Sequence, residues 1–579
     1  MVNRNVTLEG IVIAVKNLNK NRTKWKAFVI MFAVKAAFAS APLAGEMPSG
    51  ASVQSGSVNI SGQNTNHLII DQATNKSIIN WDSFSIHNRG RVDFNMPSSA
   101  SSSLNRVTGS TPSTIAGKLH SNGKVMIINP NGVVITKDGI VKTGSFTAST
   151  LDINNKDFLK DRMNFKGNGN SKSVKNNGKI IIGNGGHAAL LGGQISNSGI
   201  VSARLGRIAL GAGEKITLDF VGDGLMSVTV PSNQLGFIKD INGKTLKSII
   251  SNSGTLKANG GIIKLSAATA KHLSRGSVNI GSSGIIVART VNDTTGKVVI
   301  GSPKSNVVKI AGKIDVSGQK SLSPSGTIVV KGRSVSHSGE IYAYGKSGGK
   351  VNVTSKEILK LDGSIFAQGK RENGGSVIFM SEKGIKSSHK SIVDVSGQNK
   401  GGVIQSLAKT TNTASGTFKA NSQAGKGGKI DLTGSKIKIS QAKIEAKGNI
   451  MGGKVRIGGE YLGGSKLTKT DKNNVKGFVT RFGDQPSIDN AKQTIVKAST
   501  NIDVSSKKGQ GGTTVIWSNQ MTDFNGKINA NGSETKAFLI DKGGGGIIES
   551  SRDPPGSMTK HKSLLADSKF IAPPCSMAK

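Results

Sequence analysis

The chain has 579 residues, 76 of them Gly and only 13 Pro, with 4% aromatic and 35% hydrophobic residues. It is too Gly-rich for a helical protein, lacks a collagen-like triplet, and places its apolar residues too regularly for wholesale disorder. Lys and Arg number 77 against 34 Asp and Glu, a net +43 spread along the whole chain, which suits a solvated surface on a long β-structure or attraction to polyanions; no aromatic-interleaved groove marks a specific nucleic-acid binder.

In chain order, residues 22–44 come first: Arg22, Lys24 and Lys26 precede an apolar stretch from Ala27 to Phe38, followed by small residues. This is the pattern of a secretory signal peptide, too short for a membrane span. Cleavage is expected near Ala39, Ala41 or Ala44, with Pro42 disfavouring the bond after Ala41. Met1–Asn21, with its own apolar patch Ile11–Val15, extends the leader, so residues 1–44 read as an extended signal peptide. No other segment is apolar enough to span a membrane as a helix, so the mature chain is expected to have no transmembrane segment. The one cysteine, Cys575, excludes an internal disulfide and a Cys-based metal site.

Residues 45–105 carry Trp81, Phe84 and Phe94, larger than the side chains used later, and are expected to cap the first coil of a repeating structure. Asn129-Pro130-Asn131-Gly132 then separates the apolar runs Val125–Ile128 and Val133–Ile135. Pro130 sets φ at the second turn position, Asn131 tolerates the bridge or left-handed region, and Gly132 closes the turn, which predicts two strands joined by a tight turn. Asp157–Met163 is the one helical turn expected.

Beyond this point a unit of turn, strand, turn, Gly-Gly and strand recurs every ~20–30 residues, a solenoid period. Asn177-Gly178-Lys179-Ile180, Ser198-Gly199-Ile200-Val201, Ser253-Gly254-Thr255-Leu256, Ser338-Gly339-Glu340-Ile341 and Asp362-Gly363-Ser364-Ile365 align, as do Ala442–Ala446 and Gly526–Ala530. Gly260-Gly261 and Gly452-Gly453 introduce alternating strands. The expected fold is all-β: a right-handed parallel β-helix (solenoid) with an N-terminal capping region. Alternate residues such as Ile341 and Ala343 point inward and stack between coils, while glycines turn the corners. After Ile547-Ile548-Glu549-Ser550 the pattern stops, and the prolines of Asp553-Pro554-Pro555 and Pro573-Pro574 mark residues 551–579 as a disordered tail.

No catalytic constellation emerges. The carboxylates are few and scattered, unlike the clusters of β-helical polysaccharide-degrading enzymes. Asp219 and Asp223 are too few ligands for a calcium loop. His67, His87, His120, His187, His272, His337, His389 and His561 show no metal-ligand spacing. The Gly-rich stretches precede no helix and are not phosphate loops. The expectation is therefore no enzyme, no metal and no cofactor.

Asn80-Trp81-Asp82-Ser83-Phe84, Val92-Asp93-Phe94, Pro97-Ser98-Ser99, Leu104-Asn105-Arg106-Val107-Thr108-Gly109, Asn129–Gly132 and Ala148-Ser149-Thr150-Leu151-Asp152 occur in this order. The ordered set resembles the secretion domain of filamentous-haemagglutinin-like exoproteins of bacterial two-partner secretion, specifically to about residue 230 and more loosely beyond. The resemblance makes Asn80, Trp81, Phe84, Asn105, Arg106, Val107, Thr108 and Gly109 family markers. It makes Asn129, Pro130, Asn131 and Gly132 the secretion-domain turn, read first as shaping the first coils and second as a contact surface. The family's second motif, Asn-Pro-Asn-Leu, is absent.

The resemblance implies passage to the periplasm, capture of residues 45–300 by a dedicated outer-membrane β-barrel transporter, and release from or display on a Gram-negative cell. Residues 301–550 would form a β-helix repeat shaft. An adhesin or haemagglutinin-like protein binding host glycans or other polyanionic surfaces is the expected function. The alternatives are a haem-acquisition or cytolysin-type exoprotein and, behind them, a β-helix polysaccharide-degrading enzyme. The family's chains often continue with more repeats, so the stop near residue 550 is expected of a truncated, frameshifted or short member.

Overall fold

The computed structural model describes residues 46–169, 171–219, 225–229, 248–268, 276–302, 307–318, 322–460, 488–533, 538–541 and 548–549. The leader, with Ala39, Ala41 and Ala44, and the tail 551–579, with Cys575, lie outside the described residues, as do Asp223, His272 and His561.

Short alternating runs dictate the architecture. In Lys350–Ser355, Val351 and Val353 are buried while Lys350 is exposed, so one face can pack and the other meet water. Too short to form a sheet alone, such a strand gains its hydrogen bonds from the equivalent strand of the next turn of chain. Lys350–Ser355 pairs in parallel with Thr327–Gly332 on one side and Ser376–Ser381 on the other. Ile328, Val351, Val377, Ile404, Ile430 and Val455 stand in register on six successive coils, all fully buried. The core is thus a stack of similar apolar layers, continuous from Leu68 to Ile528.

Each coil supplies one strand to a first sheet and two consecutive strands to a second. Lys124–Ile128 lies in the first sheet, Val133–Ile135 and Ile140–Thr143 in the second, and Ser145–Ser149 re-enters the first beside Lys124–Ile128. Side-chain hydrogen bonds between neighbouring coils join residues 26 apart, as in Gln368 to Asp394 and Gln405 to Asp431, inside the expected period. The segments aligned by sequence fall in register: Lys179 pairs with Ile200 and Ile200 with Thr255, and Glu340 pairs with Ser364. The parallel β-helix is the observed fold.

The cap is narrower than expected. Ser52–Ser55 runs antiparallel on Lys76–Trp81, the edge of the first sheet, and Val58–Ser61 runs antiparallel on His67–Gln72, the edge of the second. From His67 onward the strands already pair in parallel with the next coil, His67–Gln72 with Arg91–Asn95 and Lys76–Trp81 with Ser102–Val107. Trp81, Phe84 and Phe94 therefore fill the first coils rather than lie over them, with Trp81 and Phe84 edge to face at 5.3 Å.

One element has no counterpart in the sequence reading. Asp152–Ile153, Met163–Lys166, Lys215–Asp219 and Leu225–Thr229 form a four-stranded antiparallel sheet outside the solenoid. It covers a second apolar cluster made by the outward residues Ile78, Leu104, Met126 and Ile128 of the first sheet with Phe158, Phe165 and Ile216. The short helix Asn155–Leu159 belongs to this flap. It starts two residues before the expected turn because the Asn154 side chain caps it, accepting a hydrogen bond from the Lys156 amide at 2.8 Å.

Candidate functional site

The residues singled out by the sequence resemblance and the Asn-Pro-Asn-Gly turn come together at one corner of the first coils. The turn joins Lys124–Ile128 of the first sheet to Val133–Ile135 of the second, so it makes a solenoid corner and not a hairpin; each strand pairs with neighbouring coils instead of with its successor. The Gly132 amide donates to the Asn129 carbonyl at 3.0 Å, closing the turn with Pro130 and Asn131 at its centre. Gly132 takes φ 124°, a region that side chains disfavour.

The two asparagines do more than turn the chain. Asn129 is fully buried. Its Oδ1 accepts the Asn131 amide at 2.9 Å, and its Nδ2 donates to the Thr111 carbonyl at 2.9 Å and the Ser113 hydroxyl at 3.0 Å. Asn131 Nδ2 donates to the Gly109 carbonyl at 2.9 Å, and the Ser113 amide donates back to the Gly132 carbonyl at 3.0 Å. The corner therefore clamps the preceding coil's loop, residues 109–113, of which Ser113 is buried and Ser110–Pro112 are exposed.

That loop is in turn held by the remaining markers. The Thr108 hydroxyl and amide both donate to the Trp81 carbonyl, at 3.0 and 2.8 Å, and Trp81 Nε1 donates to Asn105 Oδ1 at 3.0 Å. Gly109 admits no side chain, because a Cβ there would sit 2.2 Å from the Asp82 carbonyl oxygen. Val107 is buried in the core. Arg106 points outward instead: its Nε meets Asp152 at 3.0 Å and its Nη2 the Ile153 carbonyl at 2.8 Å, fastening the flap to the first sheet, while Nη1 reaches Asn80 at 3.5 Å. Lys76 adds a second fastening to Asp161 and the Leu159 carbonyl, each at 2.8 Å.

Two polar features escaped the sequence reading. Asn176, Asn197 and Asn252, all fully buried, form a ladder across three coils, with Nδ2 to Oδ1 bonds of 2.7 Å at both steps. Its signal was the asparagine that begins Asn176-Asn177-Gly178, Asn197-Ser198-Gly199 and Asn252-Ser253-Gly254. His67 and His120, remote in sequence, both face Asp93: His67 Nε2 lies 2.6 Å and His120 Nδ1 3.6 Å from its carboxylate, which Arg91 also holds at 2.7 Å. Burial alone would raise the Asp93 pKa, but hydrogen bonds from Arg91 and His67 outweigh it and hold the carboxyl below its ordinary value. Burial and the nearby Arg91 cation lower the pKa of His120.

Among the described residues, no group of three or more His, Cys, Asp or Glu is placed to hold a metal ion, and no helix is long and apolar enough to cross a membrane. In the later coils the carboxylates Asp315, Glu445 and Asp431 are each engaged by cations, from Arg289, from Lys443 and Lys447, and from Arg456. Asp219 sits opposite Leu225 in the flap.

Residues 44–299 match the family model described as the TPS secretion domain. A heme/hemopexin-binding protein of Haemophilus influenzae is 32% identical over 227 residues, covering 37% of this chain and 23% of that protein; a second protein of that name from the same species is 36% identical over 118 residues, covering 20% and 12%. The chain thus spans about a quarter or less of the curated relatives it matches. Among solved structures, the HMW1 secretion domain from Haemophilus influenzae has a TM-score of 0.31 and 23% identity, covering 86% of this chain and 95% of that one. The filamentous hemagglutinin secretion domain has a TM-score of 0.31 and 14% identity, covering 63% and 96%. Over residues 44–299, within its parallel β-helix, this chain carries a TPS secretion domain.

Proposed function

We propose that this chain is an exoprotein of two-partner secretion: residues 1–44 direct it to the periplasm, residues 45–300 are taken unfolded by a dedicated outer-membrane β-barrel transporter, and residues 301–550 form a basic shaft that attaches to host glycans or other polyanionic surfaces. The match of residues 44–299 to the TPS secretion domain carries the reading. It is supported by the corner at Asn129–Gly132, which ties two coils together and so gives emerging chain a first stable unit. The net +43 of the chain supports attachment to polyanions. Secretion or surface display as an adhesin follows from this reading, and no catalytic step is part of it.

The test is co-expression with the cognate transporter. The wild-type protein reaches the medium or cell surface, while Asn131→Ala combined with Gly132→Val accumulates or is degraded in the periplasm. Unchanged secretion of the double variant would overturn the role of the corner, and retention of the wild-type protein would overturn the export reading.

A second reading rests on a separate observation: both Haemophilus influenzae relatives are named heme/hemopexin-binding proteins. Under it the exported chain acquires haem, alone or from hemopexin. Titration of the purified protein with haem, followed by the Soret band, separates the two, since the adhesin reading expects no saturable change.

A further inference from the structure

Three successive corners of the shaft read Lys400-Gly401-Gly402-Val403, Lys426-Gly427-Gly428-Lys429 and Met451-Gly452-Gly453-Lys454. The backbone places them in register. Lys400 bridges to Lys426 and Lys426 to Met451, while Val403 pairs with Lys429 and Lys429 with Lys454. Neighbouring coils lie about 4.8 Å apart, so Lys400, Lys426, Lys429 and Lys454 crowd into a patch about 10 Å long on the solenoid axis. Lys400 and Lys426 are exposed, and Lys429 and Lys454 are half-buried.

Among the described residues, two carboxylates near the patch are held by a guanidinium. Asp431 is buried and held by Arg456 through two bonds of 2.8 and 2.9 Å, and the same guanidinium reaches Glu460 at 3.2 Å. We propose that this corner is a binding site for a sulfated polysaccharide lying along the solenoid axis across three coils, an inference that rests on reading the shaft as a binder of polyanions. A sulfate ester stays ionised throughout the physiological range and suits the point charge of a lysine ammonium. Residues 398–403, 424–429 and 449–454 contain no aromatic side chain on which a base could stack and no carboxylate that would repel an anion, which favours a polysaccharide over a single-stranded nucleic acid.

The electrostatics agree with an anion-binding corner. Burial, followed by the cations Lys429, Lys400, Lys426 and Arg456, pushes the Lys454 pKa down to about 8. Burial and Lys400 likewise lower that of Lys429, against the opposing pull of Asp431. A bound anion relieves this repulsion and so takes up a proton near pH 8. Affinity falls as pH rises through that value and Lys454 loses its charge.

The test measures binding of a defined heparin oligosaccharide to the full secreted chain. A variant with Lys400, Lys426, Lys429 and Lys454 all changed to Gln is compared with one changed at Lys309, Lys360, Lys386 and Lys438, exposed lysines on the second sheet. Both lose the same charge. Exposed ion pairs of ordinary strength predict that Kd rises about tenfold or more for the corner variant and only a few-fold for the control. Binding by the wild type weakens from pH 7 to pH 9, and Lys454→Gln removes that dependence. Equal weakening of the two variants overturns the site and leaves the basic-shaft reading standing; no binding by the wild type at low salt overturns both. Single-stranded DNA bound as tightly, with the same loss in the corner variant, overturns the assignment to polysaccharide. If the fourfold variant fails to fold by circular dichroism, Lys426→Gln with Lys454→Gln gives the same comparison, and the pH dependence of the wild type tests the site independently.

Discussion

Replacement of Asn129 by Ala isolates what the Asn-Pro-Asn-Gly corner contributes to the fold. The side chain makes three short bonds, to the Thr111 carbonyl, the Ser113 hydroxyl and the Asn131 amide, at 2.9, 3.0 and 2.9 Å, and accepts a longer one from Asn131 Nδ2 at 3.2 Å. Asn129 is fully buried, as is its partner Ser113, while Thr111 is exposed. At about 1 kcal/mol for each lost bond, with more wherever a partner is left unsatisfied, the coil loses about 3 kcal/mol. Pro130→Ala is the comparator: Pro130 is exposed and its change costs about 0.4–1 kcal/mol through the unfolded chain alone. Because a solenoid opens locally, the assay is native-state hydrogen exchange read on Ser113–Ile115 and Val133–Ile135, with Val403–Ala408 as a distant reference. Asn129→Ala is expected to speed exchange in the first two segments by about a hundredfold and to leave the third unchanged. Equal effects of Asn129→Ala and Pro130→Ala, or equal loss in the distant strand, would refute the clamp.

Two further outcomes follow from buried polar groups. Asn197 is the middle rung of its ladder, accepting from Asn176 and donating to Asn252 at 2.7 Å each; Asn197→Ala is expected to cost about 2–4 kcal/mol in local exchange protection. The triple change of Asn176, Asn197 and Asn252 to Ile should cost less than the single one, because Ile135 and Ile280 continue the stack on either side; a triple variant worse than the single would argue against the ladder. His337 is buried with no hydrogen-bond partner on either ring nitrogen, and burial, opposed only by Asp362, depresses its pKa to about 4 from an ordinary 6.5. The folded state keeps the ring neutral while the unfolded chain takes a proton, so this contribution is intact above pH 6.5 and is lost as pH falls toward 4, by about 3 kcal/mol in all. His337→Leu, flanked by Ile310 and Leu361, should blunt the acid sensitivity of exchange in Ser334–His337. The same acid loss in both proteins would show that another group controls it.

The repeat was legible because each coil spells out its own requirements. Gly339-Glu340-Ile341 and Gly363-Ser364-Ile365 could be aligned by eye, and their central residues pair in the sheet. What sequence could not reveal depends on register between coils. Asp93 meets His67 and His120 only because residues 26 and 27 apart become neighbours once the coil length is known. The cap looked broader than it is because Trp81 and Phe84 are large, yet size alone does not distinguish a residue that covers a core from one that fills its first layer. The flap was missed because Lys124–Ile128 buries Val125, Met126, Ile127 and Ile128 alike. A strand apolar on both faces needs a second covering layer, and the chain supplies it 24 residues later from segments with no repeat signature.

These particulars give the solenoid a direction. Antiparallel strands seal one edge of both sheets at Ser52–Ser55 and Val58–Ser61, so later coils can add only at the opposite edge. Each coil gains its ladder bonds and apolar stack from the coils on either side of it. The corner at Asn129–Gly132 and the asparagine ladder lie among the coils that form next to that sealed end, and they fix register with directional hydrogen bonds. Farther along, Ile328, Val351 and Val377 need only match their neighbours in shape. A defect in the clamp therefore loosens the coils beside it, where directional bonds set the register, and leaves the distant layers, which need only match their neighbours in shape, as they were.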